Sequence, residues 1–190
     1  KYYKVAIITD ENVYKIYKEK INIKGLDIFI VKPGEKSKSF TVKNSLDEKL
    51  LEKKFNRNSL IIGFGGGVVG DLSGYVAATI LRGIDLVHIP TSLIAIVDSS
   101  IGGKTGINSK NGKNLIGSFY NPKEILINSE FINTLSLKEI RQGLSEIIKY
   151  GVIKNEKIFN FLEKSNKVFM QNHKKNIDKI IKECIKIKID

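Results

Sequence analysis

Cysteine is almost missing from this sequence, since Cys184 is the only one in 190 residues. A disulfide within the chain is therefore excluded, and we expect a reducing, cytoplasmic setting. Long apolar runs are missing too: none approaches the roughly 20 residues that a transmembrane helix needs, and no signal peptide opens the chain. We therefore expect no membrane partner, while 42% hydrophobic residues are enough for a real core.

Arginine is scarce in a strongly basic chain, since only three of the 32 basic residues are arginines. The formal net charge of +12 by itself would suit a nucleic-acid-binding protein. The lysines are scattered along the whole length, however, and no zinc-finger, homeodomain or aromatic RNA-binding pattern occurs. We interpret the charge as a solvated surface and expect no nucleic-acid partner. A basic nucleic-acid-binding module is the remote alternative.

Apolar runs typical of strands alternate with helical patterns over the first two thirds of the chain, which predicts a parallel sheet with helices on its faces. The predicted strands are Val5–Thr9, Leu26–Lys32, Leu60–Phe64, Leu86–Ile89 and Glu124–Ile127. The predicted helices are Glu11–Lys20, a lysine-rich segment that ends near Phe55, and Val68–Leu81. Between Asp98 and Gly117 the sequence is rich in Gly, Ser, Asn and Lys, and Asn111-Gly112 is a turn signal.

A different pattern begins at Ser136. Ser136 and Glu139 have the spacing of a capping box, and only helical periodicity follows. We therefore predict an α/β domain over residues 1–135 and the start of an all-helical domain over residues 136–190. Near the end of the chain, an apolar stripe at helical spacing is formed by Ile177, Ile180, Ile181, Cys184 and Ile185. Little of the chain remains to cover this stripe, so we expect the chain to be cut or incompletely ordered at both ends.

A glycine turn lies between a predicted strand and a predicted helix. Gly65, Gly67 and Gly70 match G-x-G-x-x-G, in which glycines let backbone amides approach a pyrophosphate at a helix start. The match departs from the ordinary fingerprint, because it lies in the third βα unit and lacks an acid about 20 residues further on. Asp71 could instead accept hydrogen bonds from ribose or nicotinamide donors. The competing interpretation is a tight turn that binds nothing.

A second glycine segment, Gly102-Gly103-Lys104-Thr105, is similar to the end of a P-loop. A true P-loop needs a glycine five positions before Gly103, and that position is Asp98, whose carboxylate would repel a triphosphate. We therefore do not expect ATP or GTP hydrolysis.

Four blocks follow one another from Gly66 onward: GGVVGDLSGYVAATILRG, HIPTSLIAIVDSSIGGKTGIN, GKNLIGSFYNP and LKEIRQGLSEIIKYG. In order and spacing they resemble the signature blocks of the 3-dehydroquinate synthase family, and the resemblance covers essentially the whole chain. It implies an α/β fold in which a Rossmann-like NAD-binding parallel sheet is followed by the start of an all-helical metal-binding domain. It also implies NAD and a divalent metal, zinc or cobalt, as cofactors, and a homodimer.

The implied reaction belongs to the shikimate pathway of aromatic amino-acid biosynthesis. The family converts 3-deoxy-D-arabino-heptulosonate 7-phosphate, a phosphorylated keto acid, to 3-dehydroquinate and phosphate. It does so by transient NAD-dependent oxidation, phosphate elimination, re-reduction and aldol closure.

The resemblance also implies roles for individual residues. On the substrate side it implies Asp98, Lys104 and Lys149, with Arg82 at the phosphate across a dimer interface and Glu146 as a metal ligand. On the cofactor side it implies Asp10, Glu35, Lys38, Gly66, Gly67, Val68, Asp71, Thr91, Ser92, Lys104, Lys113, Asn114, Phe131 and Thr134. Without the resemblance, Glu146 and Lys149 would be interpreted as a surface ion pair, and Arg82 as a cation at a helix C-terminus.

Histidine is scarce as well, with two residues in the chain. A catalytic zinc site normally takes three protein ligands, and the resemblance implies two histidine ligands beyond Asp190. His88 lies in a predicted strand and His173 in a polar stretch that we expect to be solvated, so neither replaces them. We therefore expect the 190 residues to be inactive alone. Two further alternatives stay open, namely another sugar-phosphate cyclase and a metal-dependent polyol dehydrogenase.

Overall fold

The computed structural model describes residues 1–164 and 174–190, so the expectation for His173 lies outside the described residues. The strands are β1 (Val5–Asp10), β2 (Leu26–Val31), β3 (Leu60–Gly65), β4 (Asp85–Pro90), β5 (Lys104–Ser109), β6 (Gly112–Phe119) and β7 (Glu124–Ile125). The helices are α1 (Glu11–Ile21), α2 (Phe40–Glu52), α3 (Gly67–Thr79), α4 (Leu137–Ile153), α5 (Glu156–Lys164) and α6 (Lys174–Ile189). Over the described ranges, none of these helices is both long enough and apolar enough to cross a bilayer.

The sheet confirms the predicted parallel α/β architecture. Its order is β2-β1-β3-β4-β7 and every neighbouring pair is parallel, while β5 and β6 form a separate antiparallel hairpin around the Asn111-Gly112 turn. β7 is shorter than predicted, because it pairs only with Val87 and His88 before the chain leaves the sheet edge. The carboxyl ends of the strands lie at one edge, which is where ligands bind in open sheets of this kind.

Helix α3 ends at Thr79, two residues before the predicted end at Leu81. Leu81 and Arg82 have φ values of 52° and 68°, and Gly83 follows with 111°. Such left-handed backbone cannot continue a right-handed helix, and for residues other than glycine it carries strain. The prediction was therefore wrong at this end. The sharp reversal leaves the side chain of Arg82 exposed beyond the helix.

The main core fills one face of the sheet. α2 and α3 pack there against β1, β3 and β4, and the fully buried side chains include Ile8, Leu50, Ile61, Leu72 and Leu86. α1 covers the opposite face with Tyr17, which packs against Ile7 and Phe64.

A second core covers the apolar stripe of α6. Ile177, Ile180, Ile181 and Cys184 are each no more than 5% exposed, and Ile185 is partly buried beside them. Their partners come from α4 and from the segment after β4, namely Ile147, Tyr150, Leu93, Ile96 and Val97. The expectation that little of the chain remains to cover this stripe was therefore wrong, because helices distant in sequence fold back onto it.

α4 begins as the sequence predicted. The Ser136 hydroxyl accepts from the Glu139 amide, and the Glu139 carboxylate accepts from the Ser136 amide at 2.8 Å, so the capping box is present. Gly143 lets α4 approach the segment after β4, since a Cβ there would lie 2.4 Å from Leu93 Cγ. This close approach brings α4 next to the carboxyl edge of the sheet.

Candidate functional site

The glycine turn joins β3 to α3 at the carboxyl edge of the sheet. β3 ends at Gly65, Gly66 takes the N-cap position, and α3 begins at Gly67 with Val68 next to it. Within residues 1–164 and 174–190, no side chain caps this helix start. Its first-turn amides are therefore available to an anion. A Cβ at Gly65 would lie 2.7 Å from Val69 Cβ, so the turn closes only with glycine there.

Beside the turn, a buried lysine connects three segments. Lys38 is 3% exposed, and its Nζ donates to Asp71 Oδ2 at 2.5 Å and to the side-chain oxygen of Asn114. A carboxylate oxygen of Glu35 lies 3.6 Å from the same Nζ. Four residues predicted on the cofactor side therefore meet at one place, although they lie far apart in sequence.

The two carboxylates of this cluster respond differently to their surroundings. Burial raises the pKa of Asp71, and the lowering effect of the Lys38 hydrogen bond does not fully offset it. Burial also raises the pKa of Glu35, but the hydrogen bond from Asn108 and the charges of Lys38 and Lys113 together leave that pKa lowered. The net effect therefore has opposite signs, because the pKa of Asp71 is raised and that of Glu35 is lowered.

Asn108 holds this cluster in place and was missed by the sequence analysis. Its backbone amide donates to the Lys38 carbonyl, its Nδ2 donates to Glu35 Oε1, and its Oδ1 accepts from the Asn114 amide, each at 2.9 Å. Asn114 sits in the left-handed region with φ of 57°. The only sequence signal was the position of Asn108 just before the hairpin turn, which does not reveal such long-range contacts.

A cleft of about 450 Å³ opens next to the cluster, a volume suited to a small ligand. It is lined by Asp71 and Asn114 from the cofactor-side prediction and by Asp98 and Lys104 from the substrate-side prediction. Lys188 completes the lining from α6. The structure therefore brings predicted cofactor and substrate residues to one cavity.

Asp98 is the centre of a second polar group at this cleft. It accepts from Lys188 Nζ at 2.6 Å and from the Tyr150 hydroxyl at 3.0 Å. Burial raises the pKa of Asp98, but the Lys188 hydrogen bond and charge, with help from Tyr150 and Lys149, outweigh this and leave the pKa lowered. No pattern in the sequence indicates Lys188, which reaches the cleft from the last turn of α6.

Glu146 and Lys149 both lie on α4. Glu146 is one turn before Tyr150, and Lys149 directly precedes Tyr150 in the sequence. They form an ion pair, and Lys149 Nζ also lies 5.0 Å from the centre of the Tyr150 ring. In the described part of the chain, these two residues do not line the cleft itself, and no group of three His, Cys, Asp or Glu could hold a metal. Glu146 alone therefore does not make a metal site here.

Three of the other cofactor-side predictions lie at or just after the carboxyl ends of β1 and β4. Asp10 caps α1, its Oδ1 accepting from the amides of the first turn at 2.9 and 3.1 Å. The Thr91 amide donates to the Gly65 carbonyl at 2.9 Å. The Ser92 hydroxyl lies 3.1 Å from the place where a Cβ on Gly66 would be.

The remaining predicted residues lie away from the cleft or at its rim. Phe131 packs edge-on against Tyr17 and Phe64, and Thr134 Oγ1 lies 3.0 Å from the Tyr17 hydroxyl. Lys113 is exposed near Glu35. Arg82 lies beyond the end of α3, outside the residues that line the cleft.

The buried histidine of β4 makes the stability of the protein depend on pH. Burial lowers the pKa of His88 to about 4, so the unfolded chain binds a proton between pH 6.5 and 4 that the folded chain does not. The contribution of His88 to the free energy of unfolding is therefore fully present above about pH 6.5 and is lost as the pH falls toward 4. Between pH 7 and 5 we expect a loss of about 2 kcal/mol from this group.

Urea unfolding at both pH values measures this loss. His88→Gln should remove it, so the wild type and the variant should differ by about 2 kcal/mol in their pH dependence. Equal pH dependence of the two proteins would contradict the prediction.

The parallel sheet, the glycine turn at its carboxyl edge and the adjoining polar cleft define a Rossmann-like α/β protein. Residues 28–142 match the family described as 3-dehydroquinate synthase N-terminal, and residues 143–190 match 3-dehydroquinate synthase C-terminal. The chain belongs to the 3-dehydroquinate synthase family.

Similar proteins agree with this assignment. A 3-dehydroquinate synthase of Dictyoglomus thermophilum is 48% identical over 179 residues, which cover 94% of this chain and 50% of the relative. One of Clostridium beijerinckii is 47% identical over 192 residues, which cover 97% of this chain and 54% of the relative. The chain therefore spans about half the length of the curated relatives that it matches.

Solved structures show the same fold. 2-epi-5-epi-valiolone synthase from Streptomyces hygroscopicus, with NAD+ and Zn2+ bound, is 25% identical with a TM-score of 0.90, over 98% of this chain and 54% of that one. 2-deoxy-scyllo-inosose synthase, complexed with carbaglucose-6-phosphate, NAD+ and Co2+, is 27% identical with a TM-score of 0.68, over 77% and 41% of the two chains.

Proposed function

We propose that this chain is part of a 3-dehydroquinate synthase that converts 3-deoxy-D-arabino-heptulosonate 7-phosphate to 3-dehydroquinate and phosphate. Residues 1–135 form its NAD-binding domain, and residues 136–190 begin its metal-binding helical domain. The observation that carries the proposal is the single cleft shared by Asp71, Asn114, Asp98, Lys104 and Lys188. Cofactor and substrate groups have to meet in one such cavity for hydride transfer to occur.

The glycine turn fits a dinucleotide. The uncapped start of α3 offers backbone amides to a pyrophosphate, and glycine at 66 and 67 keeps side chains out of the approach. Asp71 and Asn114, fixed by Lys38, provide an acceptor and an amide where the turn meets the cleft. When bound, NAD supplies a reversible hydride acceptor.

The cleft also fits a phosphorylated sugar acid. Lys104 and Lys188 provide positive charge for its carboxylate and hydroxyls, and Asp98 accepts from a hydroxyl. Lys149 adds a further cation close to Asp98. Arg82 lies outside this cleft, so the phosphate contact proposed for it would have to come from a second copy of the chain in a homodimer.

The described residues do not complete a metal site. Glu146 supplies one carboxylate, whereas a catalytic zinc normally takes three protein ligands. The 190 residues are expected to release no phosphate from the substrate.

The test is a phosphate-release assay on two proteins. One is this chain of 190 residues, and the other is a longer protein that contains it and has the full length of the relatives. The longer protein should release phosphate with NAD and a divalent metal and lose activity on chelation, and the 190 residues should release none. NADH should not accumulate, because it is consumed again within each cycle. Phosphate release by the 190 residues alone, or none by the longer protein with both cofactors, would contradict the proposal.

The same assay separates the alternatives. Net accumulation of NADH with a polyol would identify a dehydrogenase. Turnover of a different sugar phosphate, with none of 3-deoxy-D-arabino-heptulosonate 7-phosphate, would identify a sister cyclase.

A further inference from the structure

A small cavity lies beneath the glycine turn, and none of the roles above uses it. Its volume is about 10 Å³, and glycines of the turn form one part of its wall. His88 of β4 and the consecutive serines Ser99 and Ser100 form another part.

Three polar atoms in this wall have no hydrogen-bond partner among the residues that the structure describes. They are His88 Nδ1, Ser99 Oγ and Ser100 Oγ, and all three are buried. His88 is 5% exposed and Ser100 6%. A buried polar atom without a partner costs free energy unless a bound molecule satisfies it, and such atoms are few in native proteins. Three of them around one cavity therefore indicate a polar occupant.

We propose that this cavity binds a single water molecule that bridges His88 to Ser99 and Ser100. The volume is close to the minimum that holds one water, and the three atoms match the two to four partners that buried waters have. A water can donate to an imidazole nitrogen and accept from two hydroxyls at the same time. No charged side chain lines the cavity in the described part of the chain, so an ion has nothing to balance it.

The location of this water gives it a positioning role. Ser99 follows directly after Asp98 of the cleft, and its Oγ lies 2.8 Å from the place of a Cβ on Gly67. The Ser100 amide bonds to the Ala95 carbonyl at 3.2 Å in a π-helical turn, a wide turn that often occurs at functional sites. The water therefore connects β4 to the segment that presents Asp98, directly under the glycine turn.

NMR spectroscopy of the 190-residue protein tests the proposal. Water-to-protein cross-relaxation should show a long-lived water at the Ser99 and Ser100 protons in the wild type and in His88→Gln, which keeps a polar group. His88→Leu should lose this signal, and exchange of the Ser100 amide should rise about tenfold. Ser45, an exposed residue of α2, is changed to alanine as the control and should leave both readouts unchanged.

A second variant covers the case in which His88→Leu fails to fold. The double change Ser99→Ala and Ser100→Ala alters little volume and should also abolish the water signal. Absence of a long-lived water in the wild type would overturn the proposal. So would a direct His88–Ser99 hydrogen bond, or an unchanged water signal in His88→Leu.

Discussion

Alanine in place of Gly65 is expected to weaken NAD+ binding by roughly 10- to 100-fold. The new Cβ would lie 2.7 Å from both Val69 Cβ and Val69 Cγ2. Val69 Cβ is fixed by the backbone of α3, so no side-chain rotation relieves this contact. The turn has to open, and the first-turn amides move away from the position in which they can bind a pyrophosphate. Calorimetric titration of NAD+ into the 190-residue protein measures the change.

Gly70→Ala is the matched control, because it makes the same chemical change in the same motif. Among the described residues, its Cβ would come within 4 Å of His88 Cε1 alone, at 3.9 Å, which is ordinary contact. Its affinity should therefore stay within about twofold of the wild type. Asp71→Ala should lower the affinity without opening the turn. Equal affinities for the Gly65 and Gly70 variants would show that the amides of this turn do not bind the cofactor.

Lys38→Met is expected to cost about 3 kcal/mol of folding stability. The change removes the cation that bonds Asp71 and Asn114 and leaves a mostly buried carboxylate without compensation. Urea unfolding at pH 7 measures the loss. The control is Lys186→Met, which breaks a 3.0 Å ion pair whose lysine side chain is 70% exposed and should change stability by less than about 0.5 kcal/mol.

Two further measurements identify the carboxylate as the cause. Asp71→Asn in the Lys38→Met background should recover part of the loss, because it removes the uncompensated charge. The deficit should also shrink as the pH falls from 7 toward 5, because a raised Asp71 pKa lets the folded state take up a proton that the unfolded state does not. If the loss of folding stability in Lys38→Met changed neither with pH nor with the added Asp71→Asn change, only packing would have been lost.

Local patterns were enough to predict most of the architecture. The strands of the sheet are short apolar runs bounded by glycine, proline or charged residues, and their starts were predicted to within one residue. The Ser136 capping box and the Asn111-Gly112 turn depend on neighbouring residues only, so they were also correct. The predicted end of α3 was wrong, because no rule based on neighbouring residues predicts two consecutive left-handed residues other than glycine.

The cleft could be predicted only in part, because its pairing crosses long stretches of sequence. Lys38 meets Asp71 from 33 positions away, and Lys188 meets Asp98 from 90 positions away. In a chain so rich in lysine, composition gives no means of separating the buried Lys38 and the partly buried Lys188 from solvated lysines. The resemblance supplied Lys38 but not Lys188 or Asn108, which became visible only through their contacts.

The segment after β4 belongs to the helical core and not to the core of the sheet. Leu93, Ile96 and Val97 pack with α4 and α6, and the Val97 carbonyl accepts from the Tyr150 hydroxyl at 3.2 Å. Asp98 is therefore anchored to the same body as Tyr150 and Lys188, while Asp71 is anchored to the sheet. The cleft therefore lies between two charge pairs, Asp98–Lys188 on the helical core and Asp71–Lys38 beside the glycine turn.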